Sequence, residues 1–169
     1  MFVFNTPSQK VGAGGCISMH AKIAVGANGD AVPRERRPRS RHGEDPMNPP
    51  VGGDHHQAWM TCDGTVYTRP IANENAVHSL EHGAVWITYD DKATDTDIRR
   101  LGDRVSKTPY TLMSPVEDLS GTITLSAWGR QLTVDTASEP RIEQFLAKYV
   151  QGPRTPEPGA ACTGGLTAT

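Results

Sequence analysis

The chain contains no C-x-x-C pair, which argues against a zinc ribbon and against a thioredoxin-type redox motif. No apolar run approaches the roughly 20 residues that a bilayer-spanning helix requires. A secretory leader is missing as well: after Met1 only three apolar or aromatic residues precede Asn5-Thr6-Pro7, with no positive region ahead of them. That start predicts a soluble chain that stays in the cytoplasm. Hydrophobic residues make up 36% and aromatics 6% of the 169 positions, so the core is modest and the chain makes one domain. With 17 glycines and 13 prolines, much of it must be loop. A positive body is also lacking. Residues 1–42 carry seven Lys/Arg against two acids, but residues 43–169 carry ten against seventeen, a net of −7. So acidic a body is a poor nucleic-acid binder, and no nucleic-acid partner is expected.

What is present centres on Ala76-Val77-His78-Ser79-Leu80-Glu81-His82-Gly83, followed by Ala84-Val85-Trp86-Ile87-Thr88-Tyr89. With Asn73 or Asn75 as cap, this predicts a short helix stopped at Gly83, with His78 and His82 on one face. The β-branched and aromatic run after it predicts a buried strand. The histidines therefore sit at the mouth of a sheet, where a rigid scaffold can hold a site.

Residues 1–44 read as a disordered basic tail, since Gly12–Gly15 and the Arg34–Arg41 charge run offer no periodic apolar face. The domain spans 45–158, and 159–169 is a C-terminal tail. Pro46, Pro49 and Pro50 stiffen the entry, and Gly52-Gly53 then turns the chain into His55-His56. Thr65–Tyr67 reads as an edge strand. Thr94 caps a helix running through Ile98, Leu101 and Val105, and Tyr110–Met113 and Thr122–Trp128 read as strands. Gly129-Arg130 marks a corner before Gln131–Val134, and Pro140 opens a last helix with Ile142, Phe145, Leu146 and Tyr149 on one face. The result is an α+β fold. Its small mixed β-sheet combines a strand-helix-strand unit with a hairpin, and helices pack on one face.

His78-x-x-Glu81-His82 fits the reversed zinc-protease pattern, in which two histidines bind zinc and the glutamate activates water. The early stop at Gly83 weighs against a protease, and its third ligand would have to be a distant glutamate such as Glu143 or Glu157. The favoured reading is a metal site without hydrolysis. His78 and His82 share a copper or zinc ion with His55 or His56, and Glu81 is a ligand or an orienting partner. Cys62, Met60 and Met113 are softer donors if the metal is copper. The other reading is an internal hydrogen-bonded cluster with no metal. Trp128 is expected on the last helix and Arg130 against an acid, with anion binding by Arg130 as the alternative. A disulfide between Cys62 and Cys162, 100 residues apart, would tie down the C-terminal tail in an oxidising compartment; unpaired thiols in the cytosol are the other possibility.

Asn48-Pro49-Pro50-Val51-Gly52-Gly53-Asp54-His55, Val77–Trp86, Ser126-Ala127-Trp128-Gly129-Arg130 and Pro156-Glu157-Pro158-Gly159 together resemble a domain-of-unknown-function family common in actinobacteria. The likeness covers roughly residues 45–165. It implies an extracytoplasmic, usually membrane-anchored domain, with His55, His78 and His82 as motif histidines and Cys62 paired to Cys162. It implies no settled reaction. An envelope protein is the possible partner beside the metal ion. The chain departs from the pattern at Asp54, where proline is common, and in residues 1–44, which stand in place of the membrane segment.

Overall fold

Val85–Tyr89 is buried along almost its whole length because it lies at the centre of a sheet covered on both sides. A strand in that position needs apolar residues at every register, which explains the uninterrupted Val-Trp-Ile run. The computed structural model describes residues 47–167, and the segment read as a basic tail lies outside them. In order come β1 (Asp63–Val66), α1 (Asn73–Glu81), β2 (Val85–Tyr89), α2 (Asp95–Val105), β3 (Thr111–Pro115), β4 (Ile123–Ala127), β5 (Arg130–Val134) and α3 (Pro140–Tyr149). The sheet order is β1-β3-β2-β4-β5.

The fold is α+β with a mixed five-stranded sheet. β2-α2-β3 is the anticipated parallel unit, and β1 extends it in parallel at the edge. The hairpin is made by the last two strands, and the strand read over Tyr110–Met113 is not part of it. β4 and β5 pair across the two-residue Trp128-Gly129 turn, with Ala127 opposite Arg130, while β3 pairs with β2 and stays apart from β4. Gly129 adopts φ +65°, a conformation such a tight turn demands.

Alternation along the strands divides the core. Val85, Ile87, Met113 and Leu125 face Leu101 and Val105 of α2 and Ile142, Phe145 and Leu146 of α3. Trp86 and Leu112 point the other way, against Ala76 and Leu80 of α1, Met60 and the two cysteines. Helices α2 and α3 thus share one face as expected, whereas α1 lies on the opposite one. The reason is its own apolar stripe, which is short and joins the residues around Met60 and the C-terminal segment. No helix among the described residues is long and apolar enough to cross a membrane.

The second face is closed by residues 59–67 together with the C-terminal segment through residue 166. Cys62 and Cys162 are disulfide-bonded, and the Cys62 amide donates to the Cys162 carbonyl at 2.9 Å. Thr61 N–H donates to Leu166 O and Leu166 N–H to Trp59 O, each at 2.9 Å. The buried Tyr67 hydroxyl reaches the carbonyls of Thr61 and Leu166 at 2.8 and 2.9 Å. The stretch from residue 159, read as a tail, is therefore stitched to the domain through residue 166.

Candidate metal centre

Helix α1 is the platform. Its N-cap is Ala72 rather than an asparagine, and no side chain caps it. Asn75 is instead turned inward, donating from Nδ2 to Ala58 O at 2.5 Å. The Ser79 hydroxyl donates to Met60 O at 2.8 Å and accepts from Met60 N–H at 3.1 Å. These bonds fasten residues 58–60 along the helix. At the other end Gly83 takes φ +90°, the left-handed stop anticipated for it. His78 and, as C-cap, His82 consequently stand one above the other, with ring centroids 4.6 Å apart.

His55 arrives from the Pro-Gly segment. That loop is pinned to the β4–β5 hairpin, because Gly129 N–H donates to Val51 O at 2.7 Å and Gln131 Nε2 to Pro49 O at 2.9 Å. Gly52 packs under the Trp128 ring, where a Cβ would lie 3.7 Å from the indole. Trp128 therefore supports the loop and touches the His55 ring edge-on at 6.2 Å, instead of packing chiefly on the last helix. Arg130 is exposed and donates to Gly129 O at 2.9 Å, and among the described residues it pairs with no acid.

The three imidazoles form a row: His55 lies 4.9 Å from His78, and His78 lies 4.6 Å from His82. Each has its Nδ1 against a backbone carbonyl, Gly53 for His55 at 2.9 Å, His56 for His78 at 2.7 Å and Ala161 for His82 at 2.9 Å. A carbonyl can only accept, so in the neutral ring Nδ1 carries the proton and Nε2 holds the lone pair. His56 contributes a carbonyl rather than a ring, its own Nδ1 accepting from Ala58 N–H at 3.0 Å.

Two carboxylates flank the row. Glu81 Oε2 is 2.8 Å from His55 Nε2, and Glu157 Oε2 is 3.7 Å from His82 Nε2. Donor atoms of His55, His78 and Glu81 lie within 4.8 Å of one another, as do those of His78, His82 and Glu157. Burial depresses the pKa of His82 below the ordinary imidazole range, outweighing the Ala161 carbonyl, which acts in the opposite direction. Trp59 rests against two of the rings, 5.7 Å from His78 and 5.1 Å from His82.

The softer donors are elsewhere. Cys62 is oxidised, Met113 packs in the core on the far face, and Met60 is fully buried beside the disulfide. Glu143, one of the two distant glutamates, pairs with Arg104 across α2 and α3. A cavity of about 660 Å³ is lined by Tyr89, Asp90, Asp95 and Glu117, with no histidine in its wall. A smaller one, about 280 Å³, opens beside His55 between Asp54, His56, Glu74 and Asn75.

Residues 44–164, which include every member of this cluster, match the family described as "Protein of unknown function (DUF3105)". The chain belongs to the DUF3105 family. No curated protein and no solved structure matches it. DUF3105 membership assigns no reaction, so the chemistry has to come from the histidine row. Sequence reasoning missed the weight of Glu157, the orienting carbonyl of Ala161 and the indole of Trp59. The first had a signal, since the H-x-x-E-H spacing calls for a further glutamate. The other two depend on how the C-terminal segment folds back, which no local pattern encodes.

Proposed function

We propose that this DUF3105 domain binds a divalent transition-metal ion, zinc or copper(II), at the row of His55, His78 and His82 with Glu81, and that it works outside the cytoplasm. What supports the reading is the shared tether: each Nδ1 is held by a backbone carbonyl, which leaves Nε2 as the ring atom for an ion. Metal-binding histidines are oriented in this way, because the outer hydrogen bond fixes tautomer and ring angle before the ion arrives. The lowered pKa of His82 favours the neutral, ligating form. Imidazole and carboxylate donors without thiolate or thioether suit zinc or copper(II) better than copper(I). The disulfide supports an oxidising compartment, where an envelope protein would be the natural partner for metal handling.

Elemental analysis of untagged protein and thermal melts with added Zn²⁺ or Cu²⁺ test the proposal. At 100 times Kd, a bound ion stabilises the domain by about 2.7 kcal/mol. Absence of both copurified metal and any melting shift refutes it. A second reading draws on the contacts His55–Glu81 and His82–Glu157, which give these rings polar partners without an ion. Under it the row is structural, His78→Ala unfolds the domain and metal leaves the melting temperature unchanged. A metal-dependent hydrolase is the third reading, with Glu81 as base and Glu157 as the distant ligand of the H-x-x-E-H pattern. Glu81→Gln would then abolish turnover of an activated ester while metal stays bound.

A further inference from the structure

The two metal-compatible trios overlap at His78, and they are chemically alike: each has two imidazoles and one carboxylate. They differ in setting. The outer trio takes His55 from the Pro-Gly loop and Glu81 from the end of α1, both about one-fifth exposed. The inner trio takes His82, which is buried, and Glu157 from the C-terminal segment, whose side chain is about half exposed. Glu157 is not adventitiously near: its N–H donates to Glu81 O at 3.0 Å, and Gln151 binds both His82 O and Gly159 N–H on the same segment.

We infer that the row holds a single ion at either of two positions that share His78, and that Glu157 is the carboxylate ligand of the inner one. This inference rests on the metal-binding reading above. The decisive residue is His78. Its Nδ1 lies 2.7 Å from the His56 carbonyl and must carry a proton there, so Nε2 is its one available lone pair. Bridging two ions would need an imidazolate, which would turn a bare Nδ1 towards a carbonyl oxygen at hydrogen-bond distance. Simultaneous occupancy is therefore disfavoured, and the positions are alternatives.

Ligands around one zinc-sized ion lie on a sphere of about 2.0–2.1 Å radius, at most roughly 4.2 Å apart. Donor atoms spread over 4.8 Å close on it with side-chain shifts of about an ångström. An ion can pass from one position to the other by exchanging His55 and Glu81 for His82 and Glu157 without ever leaving His78. The inner position rests on one buried imidazole and an exposed carboxylate, the outer on two partly exposed side chains. That arrangement suits a domain that hands metal on.

The test is Cu²⁺ titration of the untagged full chain, by isothermal calorimetry and electron paramagnetic resonance, with Glu81→Gln, Glu157→Gln and the double variant. Both glutamates are outside the core, so these variants keep the fold, which circular dichroism verifies. Expected is one ion per wild-type chain, with a resonance spectrum that is a superposition of two species. Each single variant should lose one of the two species. Because association constants of exclusive positions add, those of the two single variants should sum to at least the wild-type value. The double variant should bind more than tenfold more weakly than wild type. Two ions per chain, a tenfold loss in both single variants, or an unchanged spectrum in Glu157→Gln would overturn the inference. No Cu²⁺ binding by wild type would instead overturn the metal-binding reading itself.

Discussion

Replacing both Cys62 and Cys162 by serine removes a cross-link that spans 100 residues of sequence. In the chain-entropy model, a loop of that length restricts the unfolded ensemble by about 4.7 kcal/mol at 25 °C. The sulfurs join the residue before β1 to the segment that carries Glu157 and Ala161, so the loop encloses nearly the whole domain. Against a total of the usual 5–15 kcal/mol, the loss is severe but survivable. The double variant should lose about 4–5 kcal/mol in urea unfolding, with a melting temperature lower by roughly 15–20 °C. The hydrogen bonds from Tyr67, Thr61 and Leu166 remain possible in the variant, so its native fold should persist near neutral pH. A loss below about 1 kcal/mol would refute the reasoning, because the closure would then contribute no constraint that those bonds do not already supply.

His82 has a folded pKa below its ordinary 6.5, so the unfolded chain takes up a proton that the native chain refuses. Its contribution is fully present above about pH 6.5 and is lost as pH falls through the lower folded value. Urea midpoints should drop between pH 7 and 5, and His82→Gln should flatten that slope. Tyr67 titrates in the opposite sense. Burial pushes it up to about 12, so its contribution is intact below pH 10 and lost as pH rises through 12. Tyr67→Phe should cost about 1–3 kcal/mol, chiefly through the Thr61 carbonyl it leaves unpaired, and remove that alkaline loss. Gly83→Ala combines a left-handed φ of +90° with a Cβ aimed at Gln151 and at Thr155 Cγ2, 2.8 Å away. Roughly 1–3 kcal/mol should be lost, together with faster proteolysis of the C-terminal segment. Thr94→Ala removes the hydroxyl that accepts from Asp97 N–H at 3.1 Å and should cost about 1 kcal/mol by thermal melt.

Elements with strong local periodicity were legible. The Val85–Tyr89 strand, the Thr94-capped helix and the Pro140 helix lie where apolar spacing and caps put them. The α1 cap was misjudged because Asn75 makes a long-range bond to Ala58 instead, and tertiary partners outrank propensity there. Strand order was not legible. β3 inserts between β1 and β2, and nothing in an alternating pattern names a strand's neighbour. At the site, the i,i+4 pair His78/His82 and the loop-borne His55 could be read from spacing and turn chemistry. Glu157 needed the disulfide to bring residue 162 back against residue 62, a contact that spacing alone left open. Trp128 was assigned to the wrong neighbour because an indole beside a turn can pack on either side of a hairpin.

The indole of Trp59 lies against His78 and His82 within 6 Å. Of the three tryptophans, Trp86 is sealed in the core with its Nε1 donating to Ser114 Oγ, and Trp128 meets only the outermost ring. Emission from Trp59 is thus wired to the inner half of the row, and a paramagnetic guest there would darken it. The domain comes with its own optical gauge, and stopped-flow traces on unlabelled protein could time the arrival and departure of an ion at the row.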